Sequence, residues 1–196
     1  MNGAEHPGLP PAGDGMVPDD APGATRPAKP PKPPKPPRPD RRLSREYAVQ
    51  GLYEWLVARH DLGVIDAHLR EDGEFGRCDA AWFDQLLHGC AAKRGEIDAC
   101  LARHGDRKPE ELSPVEHAVL LVGVWELTYA LEIPYRVVIN EGIELAKAFG
   151  GTDGHRYVNG VLDKAARELR AVEVAAAPPR KPGPPRARPA APGAGR

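Results

Sequence analysis

The chain has 196 residues, with 27 Lys/Arg against 28 Asp/Glu and a formal net charge of −1. That length suits one domain of ordinary size, and the balance excludes a broadly basic body that would coat nucleic acid by charge alone. Cys78, Cys90 and Cys100 form no CxxC and no Cys/His pair at zinc spacing, which speaks against a disulfide framework or a zinc site.

No apolar run approaches the length of a membrane span. The start lacks the apolar core of an export signal, so reduced thiols and a cytoplasmic location are expected. Of the 23 prolines, all but Pro109, Pro114 and Pro134 crowd into residues 7–39 and 178–192. Those ends have too little apolar surface to offset chain entropy. Three segments are therefore expected: a disordered Pro/Lys-rich tail over 1–40, an all-helical domain over 41–173, and a disordered basic tail over 174–196.

Charge is segregated along the same boundaries. Residues 41–173 hold 17 Lys/Arg against 23 Asp/Glu, residues 21–40 hold five bases and one acid, and residues 174–196 hold five bases and no acid. Any nucleic-acid binding must then come from a local patch and basic tails. In the first tail, KPPKPPKPPRP spans residues 29–39. Polyproline II repeats every three residues, which aligns Lys29, Lys32, Lys35 and Arg38 on one edge about 9 Å apart. A solvated spacer, an auxiliary RNA-contacting arm and an SH3-type ligand are all compatible with that pattern.

Residues 41–60 read as the first helix, with Ala48, Leu52, Trp55 and Leu56 on its apolar face. Arg41, Arg42 and Arg45 crowd its start, the unfavourable end for cations in the helix field, which invites an external anion. Glu46 and Asp40 could instead relieve the charge. A short helix follows around Val64, Ile65, His68 and Leu69. Residues 80–104 read as one long helix with Trp82, Phe83, Leu86, Leu87, Cys90, Ile97 and Leu101 inward. Gly89 and Gly95 suggest close helix approach there. His88 and His104 read as surface or cap residues, with no second His or acid at ligand spacing.

Ser113-Pro114-Val115-Glu116 is a capping box with proline at the first helical position. The helix it opens runs to about residue 130 and is apolar nearly all round, which places it at the centre of a bundle. Pro134 starts the next helix, with Val137, Val138, Ile143, Ala146 and Phe149 as its apolar set. Gly150 and Gly151 end it, glycine being suited to a left-handed C-terminus. Asp153 is placed to cap the last helix, whose stripe is Tyr157, Val158, Val161, Leu162, Ala165 and Leu169.

Three ordered blocks carry a family likeness: RRLSREYAVQGLYEW over 41–55, LSPVEHAVLLVGVWEL over 112–127, and PYRVVINEGIELAKAFG with HRYVNGVLDKAA over 134–166. Together they resemble the NusB family of transcription antitermination proteins. The resemblance implies an all-α fold of about six to seven helices in two subbundles. It implies binding of boxA-type single-stranded RNA in ribosomal RNA leaders together with ribosomal protein NusE, within an RNA polymerase antitermination complex. It places RNA contacts at Arg41, Arg42 and Arg45, with Glu132, Tyr135 and Arg136 beside them, and puts Tyr53 and Glu116 on the NusE-facing surface. Leu43 and Ser44 dilute the arginine run relative to the family pattern.

The chain carries no phosphate loop, nucleophile elbow or metal-binding His pair. Glu141 and Glu144 lie three apart but lack the His that di-iron bundles pair with Glu. No catalytic residue, metal or cofactor is therefore expected. Two other functions stay open: a NusB-like module assisting ribosomal RNA modification, and an adaptor acting through its proline-rich arms.

Overall fold

The computed structural model describes residues 39–177, so both proline-rich tails lie outside the described residues save for their inner ends. The eight α-helices there are α1 (Arg41–Ala58), α2 (Leu62–Arg70), α3 (Ala80–Ala92), α4 (Arg94–His104), α5 (Pro114–Tyr129), α6 (Tyr135–Phe149), α7 (Gly154–Leu169) and α8 (Ala171–Ala176). The all-α expectation holds, and the described residues contain no strand. One isolated parallel bridge joins Asp40 to Cys78.

Local chemistry explains most helix ends. Asp40 accepts hydrogen bonds from the Arg42 and Leu43 N–H groups, satisfying donors that α1 cannot use internally. Arg59 closes α1 in the left-handed conformation, with φ of 55°. Ser113 Oγ accepts the Glu116 N–H at 3.2 Å and its hydroxyl donates to the Glu116 carboxylate at 2.9 Å. Only half of the expected capping box forms: Ser113 caps the helix, but the Glu116 carboxylate takes the Ser113 hydroxyl rather than the Ser113 backbone N–H.

The expected single helix over 80–104 is two. Lys93 leaves helical geometry, with φ −103° and ψ 9°, and the chain restarts at Arg94. The break lets α3 pack on α1 while α4 turns to α5 and α7. Each half then buries its own apolar side: Trp82, Phe83, Leu86, Leu87 and Cys90 on α3, and Ile97, Cys100 and Leu101 on α4. Gly89 is a true close approach, because a Cβ there would stand 2.5 Å from Trp125 Nε1. Gly95 faces open space.

Helix α5 is the axle. Eight apolar side chains and Gly123 lie in one buried run from Ala118 to Leu127, interrupted by Glu126 alone. The helix packs against α1, α3, α4, α6 and α7. Its C-terminal carbonyls are held by a distant side chain. Arg170, 7% exposed, donates to the carbonyls of Glu126, Leu127, Ala130 and Leu131 at 2.6 to 3.3 Å. Glu173 on α8 pairs with Arg170 at 3.1 Å and accepts the Tyr135 N–H at 3.0 Å, so it caps α6, which proline alone would leave uncapped.

Two expectations about the last helices are corrected. Gly150 is extended, at φ −96° and ψ 176°, rather than left-handed; glycine is needed because a Cβ would meet the Ala146 carbonyl oxygen at 2.5 Å. Asp153 makes no side-chain cap bond and pairs with Arg156 at 2.9 Å. Val137 also turns outward, off the apolar face of α6.

Candidate nucleic-acid interface

The cations at the start of α1 separate into two kinds. Arg41 is half-exposed and its guanidinium carbon lies 4.5 Å above the Trp82 ring, a cation–π arrangement. It stands 3.4 Å from Asp79 and 3.9 Å from Glu132. Arg42 is exposed and reaches Glu46 at 3.3 Å, one turn along the same helix. Arg45 points the other way. It is 5% exposed, with Nε 2.8 Å from Glu126 Oε1 and Nη1 3.7 Å from Glu141 Oε2.

That inward turn follows from helix geometry. Positions 41 and 45 stack on one side, yet 45 lies a turn deeper, where α1 crosses α5 and α6. Burial raises the Glu126 carboxyl to about 7 against the pull of Arg45, and the nearby Glu141 adds to the rise. Glu141, expected to be a solvated carboxylate, contributes to this internal network; Glu144 is exposed and pairs with Lys147 at 2.6 Å.

The Arg41–Glu132 pair ties the start of α1 to the turn between α5 and α6. Just beyond that turn, Arg136 Nε donates to the Tyr135 hydroxyl at 3.0 Å and its guanidinium lies 5.7 Å from the Tyr135 ring centroid. Pro134, Tyr135, Arg136, Glu173 and Ala176 line a shallow hollow of about 320 Å³. Arg41, Glu132 and the Tyr135–Arg136 pair are thus placed by the two ends of one turn, whereas Arg45 supports them from within.

Tyr53 and Glu116 fall on different features. Tyr53, 43% exposed, lines an apolar groove of about 600 Å³ with Val49, Val57, His68, Val115 and Phe149. Glu116 neighbours Val115 but bends back to Ser113 and lies 3.9 Å from Arg107. The Arg107 guanidinium sits 4.4 Å over the Tyr157 ring. That pair, joined across 50 positions, has no signal in the sequence.

His88 is exposed, as expected, but it is accompanied by acids. Asp66, Asp84 and His88 bring ligand-capable atoms within 4.8 Å of one another. Asp84 lies one helical turn before His88, a spacing the sequence reading passed over. Arg70 already bridges the two carboxylates, pairing with Asp66 at 2.6 Å and with Asp84. His104 ends α4 against Glu168 at 2.9 Å.

An all-helical bundle threaded on one apolar helix, with arginines and aromatics at the turn it shares with its neighbours, defines a class of small helical factor. The NusB family model matches residues 42–167. A transcription antitermination protein NusB from Cupriavidus pinatubonensis is 50% identical over 152 residues, covering 78% of this chain and 91% of that protein. One from Ralstonia nicotianae is 54% identical over 136 residues, covering 69% and 88%. The solved T. maritima NusB superposes with a TM-score of 0.61 at 27% identity, covering 69% of this chain and 97% of that one. A structure of antitermination factors NusB and NusE with double-stranded RNA shares the fold, at TM-score 0.60 and 24% identity, covering 65% and 96%. The chain belongs to the NusB family. Among the described residues, no helix is long and apolar enough to cross a membrane.

Proposed function

We propose that this chain is an RNA-binding transcription antitermination factor, acting in the cytoplasm on boxA-type single-stranded RNA of ribosomal RNA leaders. It works with ribosomal protein NusE, and the pair joins an antitermination complex on RNA polymerase. The observation that carries the reading is Arg41: a half-exposed guanidinium seated on Trp82 beside Glu132, next to exposed Arg42. A cation fixed on an aromatic face and open to solvent can pair a phosphate or stack on an unpaired base. Tyr135 and Arg136 extend that edge with a second aromatic–cation pair. Arg45 serves it indirectly, by fixing where α1 begins.

NusE is assigned to the Tyr53 groove, whose apolar lining would be covered in a complex. Membership of the NusB family supports both assignments, as does a fold shared with a chain seen with NusE and double-stranded RNA. The reading is a clamp and assigns no residue to bond making or breaking.

The test is a titration of the full chain with a short boxA-type RNA, with and without NusE. Tighter RNA binding in the presence of NusE is expected, and the same factor must tighten NusE when RNA is present. Absence of RNA binding in both titrations would refute the assignment.

A further inference from the structure

We propose that Tyr129 and Lys93 form a further RNA contact, a base-stacking platform and its cation, which extends the Arg41 edge along the seam between α3 and α5. This deepens the RNA-binding reading and rests on it. The ligand is an unpaired base with its phosphate.

The first support is a row of ring contacts that joins the two places. The Arg41 guanidinium lies 4.5 Å over the Trp82 ring. Trp82 meets Trp125 edge-on, with 6.0 Å between centroids, and Trp125 meets Tyr129 at 5.6 Å. Gly89 makes room for this row, because a Cβ there would collide with the Trp125 indole. Trp82 and Trp125 are buried, whereas the two ends of the row, Arg41 and Tyr129, reach solvent. A second route runs along the chain. Tyr129 ends α5, and Glu132, three residues on, stands 3.9 Å from Arg41.

The second support is the way the Tyr129 ring is held. It is 41% exposed, yet fixed on two sides. The ring rests against Trp125, and its hydroxyl donates to Glu96 at 2.8 Å. Lys93, at the break between α3 and α4, stands 5.9 Å from the ring centroid and pairs with the same Glu96 at 2.7 Å. A ring already fixed loses little freedom when a base lies on it. Lys93 supplies a cation for the phosphate of that base. Glu96 offsets part of its charge, so the platform binds by stacking more than by attraction.

The third support is Leu131, 68% exposed between Tyr129 and Glu132. An apolar side chain there widens the surface on which a base can lie, and a bare phosphate would gain nothing from it. An apolar protein surface would also cover Tyr129 and Leu131. The repeated pairing of cation with ring, at Arg41 and again at Lys93, favours nucleic acid.

The test measures binding of a boxA-type RNA to the full chain at low salt, for the parent and three variants. Tyr129→Leu removes the ring but keeps apolar bulk, and is expected to weaken binding by about five- to thirtyfold. Tyr129→Phe keeps the ring without the Glu96 bond and should bind like the parent. Lys93→Gln should flatten the log–log salt slope by about 0.7 units. RNAs with a single abasic site at successive positions then locate the base: at one position the parent and Tyr129→Leu should bind alike. Parental affinity and slope in Tyr129→Leu and Lys93→Gln would overturn the inference. So would a Tyr129→Leu loss of equal size at every abasic position, which marks an altered fold rather than a lost stack. Loss of NusE binding with RNA binding intact would make the surface protein-facing and overturn it as well. A parent chain that fails to bind the RNA at low salt would overturn the RNA-binding reading itself.

Discussion

Arg45 and Glu126 stand 81 positions apart in the chain, yet Arg45 Nε donates to Glu126 Oε1 at 2.8 Å with both side chains almost fully buried. The pair pins the start of α1 to the last turn of α5, and Glu141 brings in α6. Breaking such a pair from one side leaves a buried charge without its partner, at about 3–5 kcal/mol. Arg45→Met is expected to lower stability by that order, read as a drop in denaturant midpoint, whereas exposed Arg42→Gln should stay within about 0.5 kcal/mol. Equal, small effects of the two changes would mean that Arg45 is a surface residue after all.

The same pair gives a pH dependence. The Glu126 carboxyl is raised by burial to about 7, above its ordinary 4.5. A raised acid binds its proton more tightly in the folded state, so its contribution is complete below the unfolded value and is lost as pH rises through the folded one. Stability attributable to Glu126 should thus fall between about pH 4.5 and 7, by up to about 3 kcal/mol. Chemical denaturation of the parent and of Glu126→Gln at several pH values isolates it. A difference between the two that stays flat over this interval would exclude the titration.

Arg170 holds four carbonyls at and just beyond the end of α5; those of Glu126 and Ala130 also accept the Ala130 and Ile133 N–H groups, whereas Arg170 supplies the donor for Leu127 and Leu131. Arg170→Met should strand the Leu127 and Leu131 carbonyls and cost about 2–4 kcal/mol, at the upper end of buried hydrogen-bond losses. Truncation gives an independent reading. A chain ending at residue 177 should melt with the full-length protein, whereas one ending at residue 169 loses both Arg170 and Glu173 and should melt well below it. Coincident melting of the two truncated chains would contradict the role given to α8.

For Arg41 and Arg42, replacement of both by glutamine should reduce RNA affinity at low salt and flatten the salt slope by about 1.4 units. Helix content should barely change, because glutamine is nearly as good a helix former as arginine. Circular dichroism checks the second expectation on the sample used for the first. An unaltered slope would remove this edge from the RNA path.

Gly89→Ala offers a test of packing. Alanine gains about 1 kcal/mol of helix propensity over glycine, but its Cβ would stand 2.5 Å from the Trp125 indole nitrogen. Overpacking of that kind costs typically 1–3 kcal/mol. A net loss in thermal midpoint is expected, with Gly95→Ala, in open space, gaining instead.

Sequence alone indicated most of the helices, though not the break at Lys93 or α8. Apolar periodicity, Ser113-Pro114 and the glycine at 150 are local signals, because a helix makes its hydrogen bonds within a few residues of itself. It also placed α5 at the centre, since a helix apolar all round has nowhere else to go. The three blocks between 41 and 166 were enough to indicate the family. What tertiary structure decided was the direction and partnership of charge. Arg41, Arg42 and Arg45 look alike in the chain; only the crossing of α1 with α5 and α6 turns Arg45 inward. The break at Lys93, the Arg70 bridge between Asp66 and Asp84, and the grip of Arg170 on α5 belong to the same class. Each depends on side chains that meet across the bundle, and a charged residue's role is set by which of those partners burial leaves within reach.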